Sequence, residues 1–196
     1  MSVAENWPFL VQQRLRGCPE VAAAQAVREA LRQVCRETDC WEYPIRFDLT
    51  AVPCAGRSIE IPDSGLPCVI HRVLRATIHC GSHQHFLHPF DFDVRGSRLF
   101  FLRPIIGDFN GLTLTVSLLP DSAGNVLSEL PDPLARELES LVCNVAVSQL
   151  AFSKRKPWTD PDLANMARHD YLRELGTWAY THHDLNHTYV IGPIDE

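Results

Sequence analysis

The spacing of apolar residues changes twice along this chain, and the change constrains the fold more strongly than any other feature of the sequence. Residues at intervals of three and four lie on one face of an α-helix, so such a run predicts an amphipathic helix. Residues 21–37 carry this pattern, and Thr38-Asp39 marks the expected end of the helix. The apolar positions of the run are Val21, Ala24, Val27, Leu31, Val34 and Cys35.

Beyond Trp41 the apolar residues alternate with polar ones, which is the two-residue period of a β-strand. Residues 112–118 show it most clearly, with Leu and Val on one face and Thr and Ser on the other. Gly96-Ser97 has the composition of a two-residue hairpin turn. Because no helical pattern separates these segments, antiparallel pairing is predicted. The predicted strands cover residues 45–49, 58–61, 68–78, 93–102 and 112–118.

The helical period returns at Asp132-Pro133, where a carboxylate can cap the first turn and proline fits the first helical position. Lys154-Arg155-Lys156 suits the negative end of the helix dipole, and Pro157 ends the helix. Asp160-Pro161 repeats the start signal, and an apolar stripe then continues to Tyr180. The short connection predicts that these two helices pack as an antiparallel pair.

These periods predict an α+β protein: a helical bundle with an inserted antiparallel β region and an extended C-terminal tail. The bundle consists of the N-terminal helix and the C-terminal antiparallel helix pair. The length suits a single domain, residues 1–196, with the β subdomain at about 45–119 and the tail at about 182–196. Five side chains from the apolar stripes are expected to pack in the bundle core: Leu31, Leu138, Leu141, Val145 and Leu175.

The net charge of −6 argues against tight binding of duplex DNA, because neutralising phosphates requires an excess of Lys and Arg. An acidic surface along which DNA slides is compatible with it. No apolar run has the length of a membrane span, and residues 1–20 lack the features of a signal peptide. We therefore expect an intracellular, reducing environment, in which the seven scattered cysteines serve mainly as small core residues.

Residues that commonly bind metals are concentrated in one stretch that contains His79, Cys80, His83, His85 and His88. Cys80 and His83, with His85 or His88, would supply the nitrogen and sulfur ligands that zinc prefers. A histidine-rich turn between strands explains the same residues, since on a strand His83 and His85 share a face and Cys80 and His83 do not. His183 and His187 are four residues apart but lack the glutamate of the HExxH motif. The sequence therefore predicts neither a metal site nor a cofactor.

Signatures of catalysis are missing from the sequence. It contains no Gly-x-Ser-x-Gly elbow, no Walker-type loop and no dinucleotide fingerprint. Asp91 and Asp93 could form an acid pair, but as strand residues beside Phe90 and Phe92 they are better explained as solvated side chains. No catalytic residue is predicted, and we expect the protein not to be an enzyme.

The segment Lys156-Pro157-Trp158-Thr159-Asp160-Pro161-Asp162-Leu163-Ala164 follows a helix-length apolar stripe. In this context it resembles the C-terminal helix pair of head-to-tail adaptor (connector) proteins of tailed bacteriophages. The order of elements from Val21 to Tyr180 is also similar: an N-terminal helix, an aromatic exit at Arg36–Trp41, a β region and two helices. Only the segment around Trp158 is motif-like, and the stretch from His79 to His88 departs from the family pattern.

The resemblance implies a structural protein of the virion, located in its neck and assembled in the cytoplasm of a bacterial host. Family members form a ring, commonly a dodecamer, that binds the portal protein on one side and the tail nozzle or tail tube protein on the other. Genomic DNA passes through the lumen without sequence-specific binding, and no membrane is involved. An acidic subunit suits such a channel, because it does not hold phosphate.

The predicted tail has no helical period and is nevertheless apolar at four positions. We expect it to bind another chain, either the portal or the neighbouring subunit, through Tyr189, Val190, Ile191 and Ile194. Two alternatives remain at this stage. One is a different neck component, namely a head-completion or tail-terminator protein, and the other is a small zinc-dependent enzyme built on the His79–His88 stretch.

Overall fold

A computed structural model describes residues 2–48, 58–80, 83–103, 111–121 and 126–183. In these residues the fold is mixed α+β, as the sequence predicts, with four α-helices and two antiparallel sheets. The chain divides into two compact units. Of the described residues, the helical unit holds 2–40, 66–68, 120–121 and 126–183, and the sheet unit holds the rest.

The helical unit begins with α1 (Trp7–Arg14) and α2 (Glu20–Thr38). Helix α2 confirms the helix predicted over residues 21–37, and its buried face includes Val27, Leu31 and Val34. Asp39 ends it in the left-handed conformation (φ 51°), with its N–H bonded to the carbonyl of Cys35 (2.9 Å). Helix α1 was not predicted, because it buries only Trp7 and Val11 and shows no broad apolar stripe.

The second half of the helical unit contains α3 (Asp132–Ala151) and α4 (Pro161–His183). The two helices run antiparallel. The N–H of Asp160, just before α4, donates to the carbonyl of Ala151 at the end of α3, and the hydroxyl of Ser140, earlier in α3, donates to Glu174, later in α4. Helix α3 packs against α1, α2 and α4 and buries most of its apolar stripe, whereas α4 buries only Ala164, Ala167 and Tyr171 among its residues with described side chains. Of the five predicted core residues, Leu31, Leu138, Leu141 and Val145 are buried, whereas Leu175 is only half-buried.

A polar cluster connects a buried residue of α3 with exposed and half-buried residues of the helical unit. Asn144 on α3 is 4% exposed, and its side-chain oxygen accepts a hydrogen bond from Arg14 Nη1 (2.7 Å). The amide nitrogen of Asn144 donates to Ser140 Oγ (3.4 Å) and to Glu174 Oε1 (3.5 Å). The buried amide therefore has both its donor and its acceptor satisfied, which avoids the cost of an unpaired polar group.

The start of α3 differs from the prediction. Asp132 is the first helical residue and makes no capping bond to the first turn, so its predicted role as the N-cap is wrong. Its carboxylate accepts instead from the N–H of Val3 (3.2 Å). This N–H stands at the start of the 3-10 turn Ala4–Asn6 and would otherwise lack an acceptor within that turn.

Seven strands occur in the described residues of the sheet unit: β1 (Glu42–Asp48), β2 (Ser58–Glu60), β3 (Cys68–Cys80), β4 (His83–Phe86), β5 (Phe92–Arg95), β6 (Arg98–Phe101) and β7 (Gly111–Pro120). One sheet has the order β1-β7-β3-β4 and the other β2-β6-β5. Cys68, the first residue of β3, and Pro120, the last residue of β7, belong to the helical unit.

In β7, burial follows the predicted alternation from Leu112 to Val116, whereas Ser117, predicted on the polar face, is buried. Strand β7 buries Leu112, Leu114 and Val116, and it pairs antiparallel with β1 so that Ile45 lies opposite Leu114. The predicted hairpin is confirmed, with Arg95 opposite Arg98 and Gly96 in the left-handed region (φ 57°). A two-residue turn needs this conformation, and glycine adopts it without steric cost.

Candidate functional site

The connection between α3 and α4, residues 152–160, is a corner held by its own hydrogen bonds. The N–H of Asp160 donates to the carbonyl of Ala151 (3.0 Å), so the corner closes on the last residue of α3. The hydroxyl of Thr159 donates to the carbonyl of Ser153 and accepts from the N–H of Lys156 (3.0 Å). Arg155 takes the left-handed conformation (φ 61°) that reverses the chain.

Asp160 begins α4 as the sequence predicts. Its carboxylate accepts a hydrogen bond from the N–H of Leu163 (3.0 Å), and its carbonyl accepts from the N–H of Ala164 (2.9 Å). Pro161 is the first helical residue, where the absent N–H costs nothing. The cap and the proline together fix where the helix starts, which makes the corner a rigid structural element.

The basic residues of the corner do not lie where the sequence placed them. Helix α3 ends at Ala151, where the N–H of Ser153 bonds the carbonyl of Leu150 and tightens the last turn. Lys154–Lys156 therefore follow the helix and do not form its final turn. The ammonium of Lys156 lies over the ring of Trp158, 5.9 Å from its centroid, within range of a cation–π interaction.

A groove of about 350 Å³ lies between α2, α3 and α4, beside the corner. Val145, Phe152 and Leu172 form apolar parts of its lining, and Phe152 and Leu172 are 45% and 55% exposed. Glu37 and Arg168 are among its polar lining residues. Apolar walls with a polar rim suit recognition of an apolar side chain from a protein partner.

Tyr171 closes one side of this groove. Its ring is buried, and its hydroxyl donates a hydrogen bond to Oε2 of Glu37. Burial raises the pKa of Tyr171 well above its ordinary value, and the hydrogen bond to Glu37 raises it further. The phenol therefore stays protonated at neutral pH and links α4 to the end of α2. The other polar residues of the described lining include Ser148 and Arg168.

His79 and His88, at the two ends of the His79–His88 stretch, make separate contacts. Nε2 of His79 forms a hydrogen bond with the hydroxyl of Thr113 (2.7 Å). Nδ1 of His88 accepts from the N–H of Phe90 (3.4 Å), and the two rings stack with centroids 4.9 Å apart. His88 thus caps the 3-10 turn Pro89–Asp91.

The other members of the stretch lie on the β3–β4 hairpin. His83 and His85 are exposed on β4, opposite Cys80 and Ile78 of β3. The side chain of Cys80 lies outside the described part of the structure. No group of three or more His, Cys, Asp and Glu side chains suited to a metal ion occurs in the described residues.

Asp91 and Asp93 each face an arginine. Nη1 of Arg103 lies 3.7 Å from Asp91, and Nε of Arg95 lies 2.8 Å from Asp93. Asp93 is a strand residue as predicted, but Asp91 belongs to the 3-10 turn and accepts the N–H of His88 (3.1 Å). The contacts are those of two separate ion pairs, and they do not resemble a shared-proton acid dyad.

Sequence reasoning missed two exposed aromatic residues of the sheet unit. Phe86 and Phe90 are 72% and 70% exposed, and they flank His88-Pro89. Large apolar side chains at such exposure are candidates for contact with a partner. Phe86 lies on β4 at the edge of its sheet, and Phe90 lies in the 3-10 turn Pro89–Asp91, so no alternating pattern in the sequence indicates that they are exposed.

The predicted partner-binding residues Tyr189, Val190, Ile191 and Ile194 lie outside the described residues, as does His187. His183 is the last residue of α4, and its side chain is not described either. In the part of the chain that is described, no helix is both long enough and apolar enough to cross a membrane. No protein-family model matches the chain, and no curated protein is significantly similar to it.

Proposed function

We propose that this protein is a head-to-tail adaptor of a tailed bacteriophage, a structural subunit that joins the portal to the tail. The observation that carries the proposal is the segment Lys156–Ala164, which covers the second half of the corner and the start of α4. Its sequence resembles the corresponding segment of adaptor proteins, and its hydrogen bonds give it the rigidity of an assembly element. In this proposal the subunits form a ring of about twelve copies, by resemblance to the family.

The arrangement of the helices supports the proposal. Helices α2, α3 and α4 pack together, and the strands occur in the sequence between α2 and α3. The same order of elements is expected of an adaptor, in which a helical bundle carries a β insertion. The groove beside the corner and the exposed aromatic pair Phe86 and Phe90 offer two different surfaces for subunit contacts. A ring needs such an asymmetry, since each subunit binds its neighbour through two unlike patches.

The charge of the chain supports a role beside DNA. A net charge of −6 disfavours adhesion to phosphate, and a channel wall must let the genome pass during ejection. The proposed location is therefore the neck of the virion, with the tail nozzle or tail tube protein as the second partner. Catalysis and a cofactor have no part in this function.

The C-terminal segment provides the proposed attachment to the portal or to the neighbouring subunit. Tyr189, Val190, Ile191 and Ile194 would each contribute about 1.5–3 kcal/mol when buried, before the cost of ordering the segment. A chain that ends at Asn186 should keep the melting temperature of the full-length protein but bind the portal at least tenfold more weakly. Unfolding of the shortened chain would instead place these side chains in the protein's own core.

The direct test combines purified chain with purified portal rings encoded in the same genome. Electron micrographs should show an added ring of density on one face of the portal, and the chain ending at Asn186 should lose it. Asp195→Asn is the matched control, because it changes the tail but keeps its apolar side chains. Binding to tail proteins without binding to the portal would indicate another neck component. The absence of a portal gene from that genome would refute the proposal.

A further inference from the structure

Two of the seven cysteines meet at the C-terminal end of α2. Cys35 lies in the last turn of the helix, and Asp39 then turns the chain back in the left-handed conformation. This reversal brings Cys40 beside the helix, so that the sulfur atoms of Cys35 and Cys40 are 3.8 Å apart. The distance is within hydrogen-bond range for thiols, and both residues are free cysteines.

The two thiols differ in environment in the way that a reactive cysteine and its resolving partner differ. Cys35 is fully buried, whereas Cys40 is half-buried. Their shared hydrogen bond lowers the pKa of Cys40 and raises that of Cys35, and burial adds to the increase at Cys35. A thiolate is the attacking form in thiol chemistry, so Cys40 is the member that reacts first.

The other cysteines with described side chains do not have a lowered pKa. Burial raises the pKa of Cys18, and it raises the pKa of both Cys68 and Cys143 to about 12. Cys68 is also close enough to influence the pKa of Cys35. It is therefore the described thiol that competes most directly as an alternative partner.

We propose that Cys35 and Cys40 form a reversible dithiol–disulfide pair that is oxidised by low-molecular-weight disulfides such as glutathione disulfide. The proposal rests on the 3.8 Å contact at the end of α2 and is independent of the adaptor function. Forming the bond requires the sulfurs to approach from 3.8 Å to about 2 Å, a local movement of the segment after Asp39.

The reaction proceeds in two exchanges. The Cys40 thiolate attacks one sulfur of glutathione disulfide, forms a mixed disulfide and releases one glutathione thiolate. The Cys35 thiol then loses its proton to solvent and attacks the sulfur of Cys40, releasing the second glutathione. Two protein thiols are oxidised, and one glutathione disulfide is reduced to two glutathione molecules. Excess reduced glutathione reverses both steps.

The disulfide would fix the last turn of α2 to the residue before Trp41. Thr38 and Asp39 would be enclosed in a short covalent loop, and the left-handed turn at Asp39 could no longer open. Oxidation should therefore reduce amide hydrogen exchange in residues 36–40 of the folded protein, a readout that does not depend on any partner.

Tryptic mass mapping gives a decisive test, because each of the seven cysteines falls in a different tryptic peptide. The folded protein is incubated with glutathione disulfide, free thiols are blocked with an alkylating agent, and the digest is analysed without reduction. The expected product joins the peptide of residues 33–36 to that of residues 37–46, and reduction should separate them. A linked pair that contains Cys68 in place of either cysteine, or no linked pair, would overturn the proposal.

Single substitutions distinguish the roles of the two thiols. Cys35→Ser should trap glutathione on Cys40 as a stable mixed disulfide. In Cys40→Ser, glutathione should add to Cys35 at least tenfold more slowly than it adds to Cys40 in Cys35→Ser. Cys68→Ser is the matched control and should leave the linked peptides and their rate of formation unchanged. Faster alkylation of Cys18 or Cys143 than of Cys40 in the folded wild-type protein would also contradict the assignment.

Discussion

Leu141 gives the sharpest test of the helical packing. This residue lies on α3, is 3% exposed, and belongs to a face that also buries Leu138 and Val145. Leu141→Ala removes the outer carbons of a buried side chain and leaves a cavity, because the helices around it can relax only in part. The expected loss in the free energy of unfolding is about 2–5 kcal/mol.

Leu172→Ala is the matched control, with the same chemical change on α4 at a residue that is 55% exposed. Its expected effect is within about 0.5 kcal/mol, as for most surface substitutions. The measurement is urea denaturation followed by the helical circular dichroism signal, which reports on the helical unit. A loss below about half a kcal/mol for Leu141→Ala, or equal losses for the two variants, would refute the packing derived from the structure.

Two further predictions concern pH and the start of α4. Burial raises the pKa of Cys143 from 9.0 to about 12 in the folded protein, so its contribution to stability is complete below pH 9 and is lost as the pH rises towards 12. Between neutral pH and pH 10, the free energy of unfolding should therefore fall by roughly 1.4 kcal/mol less in Cys143→Ala than in the wild type. An identical fall in the two proteins would contradict this. Asp160→Ala removes the cap bonded to Leu163 and should cost about 0.5–2 kcal/mol in thermal or urea unfolding. Asp162→Ala, in the first turn of α4, should cost less, and the opposite ranking would disprove the capping role.

Local signals predicted the regular elements well. The apolar stripe of α2, the Gly96-Ser97 turn and the alternation in β7 each depend on residues close together in the sequence, so their periods alone define them. Asp160 is a similar case, because its partner Leu163 is three residues away. The α+β class follows directly from such signals.

Features that depend on distant residues could not be predicted in this way. Asp132 looks like an N-cap, but its carboxylate binds Val3, 129 residues away in sequence, and no local pattern contains that information. The groove combines residues of three helices, and its exposed Phe152 carries no sequence mark of its own. The Cys35–Cys40 contact requires the left-handed turn at Asp39, a conformation that non-glycine residues adopt only occasionally.

The hydrogen bond between Arg14 and the buried Asn144 spans 130 residues of sequence, which has a consequence for synthesis of the chain. At roughly 5–20 residues per second, the ribosome needs on the order of ten seconds to make the segment between the two partners. During that interval α1 and α2 can pack on each other, but the surfaces they present to α3 have nothing to cover them. The nascent chain therefore passes through a stage in which its N-terminal helices are open to chaperones and to aggregation, and completion of α3 ends that stage.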